Sequence, residues 1–105
     1  MENEIAIIKT TTATLENAKM LAHTLVFEKF AACAQIGAEI QSVYNWDGET
    51  KCETEIPVEF KTSPEKAHAA VERLAAIHPY ECPQIVAFRA AANKSYADWC
   101  VENTR

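Results

Sequence analysis

Ala32-Cys33-Ala34-Gln35-Ile36-Gly37-Ala38-Glu39-Ile40-Gln41-Ser42-Val43-Tyr44-Asn45-Trp46-Asp47-Gly48-Glu49-Thr50-Lys51-Cys52-Glu53-Thr54-Glu55-Ile56-Pro57-Val58-Glu59-Phe60-Lys61 decides the fold. Up to Trp46 the even positions are apolar or aromatic, apart from Ser42, while Gln35, Glu39, Gln41 and Asn45 fall among the odd ones. From Cys52 onward the even positions Cys52, Thr54, Ile56, Val58 and Phe60 are again less polar than the intervening Lys51, Glu53, Glu55, Glu59 and Lys61. A period of two on both sides of Asp47-Gly48 predicts a long β-hairpin. Directly opposed residues of a hairpin share a face. Matching the less polar sets therefore favours a three-residue turn, Trp46-Asp47-Gly48, with Tyr44 opposite Thr50, over a two-residue Asp47-Gly48 turn with Tyr44 opposite Lys51. Gly37 marks a candidate bulge, and Pro57 removes a ladder donor from the third strand.

Outward from the hairpin, Ile5–Thr10 is a short, mostly apolar run suited to a buried strand. Between about residues 13 and 29, Leu15, Ala18, Leu21, Ala22, Leu25 and Val26 form a helical stripe, with Thr12 or Thr14 available as cap. After the hairpin, Ser63-Pro64-Glu65 reads as a capped helix start, and Ala67, Ala70, Val71, Leu74 and Ile77 follow at helical spacing until Pro79 stops the helix. Gln84–Phe88 reads as a last strand, and Tyr96, Trp99 and Cys100 as the apolar side of a C-terminal helix. The order β-α-β-β-α-β plus a C-terminal helix predicts an α+β, ferredoxin-like sandwich in one domain, residues 1–105. Strands of ~12 to 15 residues reach ~40 to 50 Å, so the hairpin must overhang its own body. Such a ribbon, tipped by Tyr44 and Trp46, predicts a homo-oligomer that covers it.

Composition narrows the function. Two glycines in 105 residues leave no glycine-rich phosphate loop, and 49% hydrophobic against 24% charged residues is ordinary globular usage. A net charge of −5 argues against nucleic acid as a partner. The start Met1-Glu2-Asn3-Glu4-Ile5 lacks the basic opening of a secretory signal, and no run approaches the ~20 apolar residues of a membrane span. A soluble, cytoplasmic protein without a membrane partner is expected. Cys33, Cys52, Cys82 and Cys100 show no C-x-x-C pair and are expected to be reduced.

Several segments together are more specific than any one alone: Phe27-Glu28-Lys29-Phe30-Ala31-Ala32-Cys33, the Tyr44-Asn45-Trp46-Asp47-Gly48 tip, Glu55 with Lys61-Thr62, His78-Pro79-Tyr80-Glu81-Cys82-Pro83 and Tyr96-x-x-Trp99. In order and spacing, over nearly the whole chain, they resemble the divalent-cation-tolerance (CutA) family. The resemblance implies a ferredoxin-like protomer, a homotrimer built through the hairpins, and an association with copper and other divalent metals. It also singles out His78 as the position to test. At the end of the first strand, Lys9-Thr10-Thr11 stands where some bacterial members carry a cysteine, and Gln84 stands where the family usually has Glu.

Among side chains able to carry chemistry, His78, Glu81 and Cys82 combine imidazole, carboxylate and thiolate and form the candidate metal set. The competing role for His78 is to cap the preceding helix. Copper or another divalent ion would be held weakly and is not needed for folding. Trp46, Glu55, Lys61 and Tyr80 form the candidate ligand-binding set, with Glu55 and Lys61 of one copy expected to meet Tyr80 and Glu81 of a neighbour. Trp46 and Tyr44 also suit interface anchors, Cys33 and Cys100 suit packing, and His23 and His68 fall on solvent-facing helix positions. No hydrolytic triad or H-E-x-x-H motif is present, so no enzyme is expected. An acyl-phosphate hydrolase would want an arginine near the first strand, and the arginines are Arg73, Arg89 and Arg105. The expected function is a CutA-type metal-responsive trimer, with a PII-like trimeric sensor or scaffold as the alternative.

Overall fold

The computed structural model describes residues 3–105, so Met1 and Glu2 of the acidic N-terminal stretch lie outside the described residues. Strand β1 (Glu4–Thr12) is followed by α1 (Leu15–Phe27), β2 (Cys33–Ile36), β3 (Ile40–Trp46), β4 (Glu49–Thr62), α2 (Ala67–Ile77), β5 (Ile85–Ala91) and α3 (Lys94–Glu102). The strands form one antiparallel sheet in the order β2-β4-β1-β5, with β3 paired to the far end of β4.

The periodicities act where a face can be buried. Helix α1 lays Ala18, Leu21 and Leu25 on the sheet, where they meet Ile8, Val58 and Phe60, and α2 adds Ala70 and Leu74. Phe60, opposite Ile8 on one side and Ala34 on the other, is fully buried at the centre of this core. On the other sheet face, α3 packs Ala97 and Cys100 against Ile5 and Ala32. Tyr96 stacks on Trp99 with ring centroids 5.5 Å apart.

Helix ends settle what the sequence left open. Thr14 is the α1 cap, its hydroxyl accepting the Asn17 N–H at 3.1 Å, while Thr12 donates to the Thr14 carbonyl. At the other end Lys29 adopts a left-handed conformation (φ 65°), and the N–H groups of Lys29 and Phe30 donate to Val26 and Leu25 carbonyls, closing the helix as a Schellman motif. Ser63 does not cap α2. The helix begins at Ala67 after a turn, and the Ser63 hydroxyl instead meets that of Thr104, 3.3 Å away, tying the turn to the end of α3.

The hairpin departs from its expected register in an instructive way. Its turn is the two-residue Asp47-Gly48, with φ of 52° and 78°, and Tyr44 faces Lys51, not Thr50. Positive φ at both central positions is the type I′ turn, whose twist matches that of the strands it joins. At the base the pairing is Ala34 with Phe60 and Ile36 with Val58. Between base and tip, residues 37–39 on one side oppose only residues 56 and 57 on the other. That one-residue bulge at Gly37 divides the expected second strand into β2 and β3 and flips the parity beyond it. A Cβ on Gly37 would stand 3.0 Å from the Pro57 ring, a close approach that favours glycine. Pro57 does not break its own strand: β4 is continuous, and the Pro57 carbonyl accepts the Gly37 N–H at 3.0 Å.

β1 pairs with β4 only as far as Ile56, so residues 40–46 and 49–55 continue outward as a two-stranded ribbon. The long axis of the described molecule is 45 Å against 27 and 23 Å across.

Candidate functional site

Where the ribbon leaves the sheet it forms one wall of an open cleft of about 580 Å³, and the loop after α2 forms the other. Tyr44, Trp46, Lys51, Glu53 and Glu55 come from the ribbon, Thr11 from the end of β1, and Tyr80, Glu81, Cys82 and Gln84 from the loop. The unexpected register creates this surface. Pairing Tyr44 with Lys51 and Trp46 with Glu49 puts the aromatic positions of β3 on the same face as Glu53 and Glu55 of β4.

Glu55 sits at the cleft floor. Its Oε2 accepts the Tyr80 hydroxyl at 2.7 Å and the Thr11 hydroxyl at 3.1 Å, and Ser42 lies on the same ribbon face. Burial alone would push its carboxyl up, but the hydroxyls of Tyr80, Ser42 and Thr11, aided by His78, outweigh that and hold it below the usual value. Tyr80 responds in the opposite sense: burial first, then its bond to Glu55, push its phenol far above the usual range. Tyr44 repeats the pattern higher on the ribbon, donating to Glu53, and that bond is the main cause raising its phenol.

His78 is buried behind the loop at 8% exposure. Its backbone closes α2 through Leu74, but its ring points to the end of β1, so the imidazole does not serve as a cap for the helix carbonyls. Nδ1 accepts the Tyr80 N–H at 3.1 Å. Nε2 lies 3.0 Å from both the Thr11 carbonyl and the Thr10 hydroxyl, which itself donates to the Gln84 carbonyl. The bonding pattern assigns the neutral ring with its proton on Nε2. Burial lowers its pKa despite the opposing pull of the Thr11 carbonyl and Glu55. His78 thus locks the loop to the strand and leaves neither nitrogen free.

The expected metal set is not gathered as one unit. Glu81 and Cys82 are exposed on the cleft wall while His78 is turned inward, and among the described residues no group of three or more His, Cys, Asp and Glu side chains could hold a metal ion. Of the ligand-binding set, Trp46, Glu55 and Tyr80 line the cleft. Lys61 does not: half-buried, it bonds Gln35 and pairs with Glu59 at 2.9 Å. Within one chain, Tyr80 already donates to Glu55 at 2.7 Å. His23 and His68 are exposed, His68 beside Glu72 at 3.3 Å, and all four cysteines are free thiols.

Sequence reasoning missed Thr10, Thr11, Ser42, Lys51 and Glu53. The Thr10-Thr11-Thr12 run carried a usable signal, because hydroxyls ending a buried strand need partners, and all three threonines are buried here.

Comparisons with known proteins agree with one another. The family model described as CutA1 divalent ion tolerance protein matches residues 6–103. The divalent-cation tolerance protein CutA of Thermus thermophilus is 37% identical over 99 residues, covering 93% of this chain and 96% of its own. The chloroplastic CutA 1 of Oryza sativa is 32% identical over 94% of this chain, which spans only 56% of that longer protein. Among solved structures, the divalent ion tolerance protein CutA1 from Ehrlichia chaffeensis superposes with a TM-score of 0.92 at 33% identity, over 100% of this chain and 99% of its own.

Proposed function

The chain belongs to the CutA1 divalent ion tolerance family, and from that premise we propose that it acts without catalysis, as a ferredoxin-like homotrimer that responds to copper and other divalent ions through the clefts at the roots of its ribbons. The cleft is the observation that carries this reading: Glu81 and Cys82 are presented there on a loop fixed by His78. A carboxylate and an exposed thiol form an incomplete donor set, so the ion is weakly held cargo whose remaining ligands come from a neighbouring copy or water. His78 enters coordination only by releasing the Tyr80 N–H.

The trimer is supported by uncovered apolar surface in three places. Ile40 and Val43 are exposed on the ribbon, Val86 and Phe88 on the sheet face that α3 leaves open, and Trp99 on α3 itself. A lone two-stranded ribbon is marginal in water, and apolar groups clustered this way mark association surfaces. Sedimentation at micromolar concentration tests it, and a well-behaved single subunit refutes it. No helix among the described residues is long and apolar enough to cross a membrane. Four free thiols, two of them exposed, favour the reducing cytoplasm, which cell fractionation tests.

Copper titration followed calorimetrically tests the metal site. Cys82→Ser and Glu81→Gln each weaken copper binding, while His78→Ala acts through the loop; unchanged affinity in all three removes the cleft from metal binding. The volume of the cleft favours a second reading, a PII-like sensor or scaffold, because ~300 to 1,000 Å³ is the range of small-molecule sites. Thermal stabilisation by metabolites and not by metals would select it.

A further inference from the structure

We propose that the cleft binds an organic cation with an aliphatic body, of the diamine and polyamine class, between its tyrosine and tryptophan rings and its glutamates. This rests on the reading of the cleft as the ligand site and names the chemistry of one occupant.

The walls and floor have different chemistry. Tyr44, Trp46 and Tyr80 offer ring surface, and Glu53, Glu55 and Glu81 outnumber Lys51 in charge. The tyrosine and glutamate sets are joined, because Tyr44 donates to Glu53 and Tyr80 donates to Glu55. A phenol that donates to a carboxylate gains electron density, which makes the ring face more attractive to a cation. The raised phenol pKa of both tyrosines accords with this, since each ring keeps its proton. Glu53 and Glu55 lie two positions apart on one face of β4, hence ~7 Å apart along the strand. That spacing suits amines separated by a short methylene chain lying along the rings.

Other occupants use the site poorly. At Glu55 a bare dication would want open carboxylate oxygens, whereas Oε2 already accepts from Tyr80 and Thr11, and the aromatic walls give such an ion nothing, which leaves Glu81 and Cys82 as the place for a metal. A phosphate-bearing ligand meets the wrong charge, and an uncharged apolar molecule leaves the glutamates unused. An alkylamine satisfies both, with cation–π attraction and a desolvated methylene stem.

Calorimetry on the intact protein at low ionic strength, with spermidine as probe, tests the proposal. Expected is saturable spermidine binding, with none for 1,6-hexanediol, which has the stem without charge, and no displacement by equimolar magnesium. Tyr44→Leu weakens spermidine binding about 2- to 5-fold, the range for one exposed cation–π contact. Glu53→Gln also weakens it, and Tyr44→Phe, which keeps the ring, retains most of the affinity. Glu102→Gln, exposed at the end of α3 and away from the cleft, changes nothing. Non-saturable binding, equal loss in Glu102→Gln, or equal competition by magnesium would overturn the proposal by making the interaction one of bulk charge. No spermidine binding in a protein that still binds copper at Cys82 sinks this inference alone, whereas loss of both removes the cleft as a ligand site.

Discussion

The body of the sheet and the ribbon that leaves it are built from the same strand, β4, yet different forces hold them. Around Phe60 and Val58 one face is sealed by α1 and α2, and the apolar alternation sets the pairing. Beyond Ile56 neither helix reaches, and polar pairs across the strands take over: Thr50 to Asn45 at 2.7 Å, Gln41 to Thr54 at 3.0 Å, and Tyr44 to Glu53. Burial specifies register only where there is burial; elsewhere the turn does.

The largest test of this contrast is Phe60→Ala. Removing a fully buried ring from the core costs ~3 to 5 kcal/mol of stability, measured by denaturant unfolding. A loss below 1 kcal/mol would mean that the body, like the ribbon, is held by something other than packing. Gly48→Val comes next. Gly48 has open space around it, so the cost of ~1 to 2 kcal/mol is conformational, from a β-branched residue at φ 78°. It should fall on the ribbon, with faster amide exchange over residues 40–55 and little change around Phe60.

That contrast also explains what the sequence could reveal. The helices, the first strand and the core stripe were legible because each has a buried face that imposes a period, whereas the last strand, with no fully buried residue, was legible only as the apolar run Ile85-Val86-Ala87-Phe88. Parity of the less polar positions wrongly excluded the two-residue turn, because Thr54 and Cys52 are exposed and their lower polarity carried no burial signal. Asp47-Gly48 itself held the answer, as did Gly37, whose bulge reconciles the two registers. Of the candidate site, Trp46, Glu55, Tyr80, Glu81 and Cys82 were legible as residues but not as one cleft. Their meeting depends on the flipped ribbon face, and on a histidine bonding across 67 residues of sequence to Thr11.

Between body and ribbon, the joint formed by His78 and Glu55 should respond to pH in two separate windows. The folded state lowers the His78 pKa, so the unfolded chain binds the extra proton first, and stability falls as pH drops from ~6.5 toward the folded value. Glu55, also lowered, contributes stability above its unfolded value of ~4.3, and that is lost as pH falls through the folded pKa. His78→Gln should flatten the upper window of an unfolding titration, and Glu55→Gln should remove the lower and, by taking away the carboxylate that pulls the His78 pKa up, deepen the upper. An upper window left unchanged by Glu55→Gln would show that the carboxylate does not act on the imidazole.

The smallest effect concerns a place where the body itself obeys the ribbon's rule. Lys29, exposed at the end of α1, holds φ 65° so that Lys29 and Phe30 can donate back to Val26 and Leu25 and turn the chain into β2. Left-handed backbone costs an L-residue ~1 to 2 kcal/mol, and glycine escapes that cost but loses more entropy on folding. Lys29→Gly should therefore stabilise the protein by a net ~0.5 to 1 kcal/mol, with Lys29→Ala near neutral because it keeps the Cβ that causes the strain. If the alanine variant gained as much as glycine, the lysine side chain would be the source of the cost. Backbone conformation would then outweigh burial in the ribbon alone.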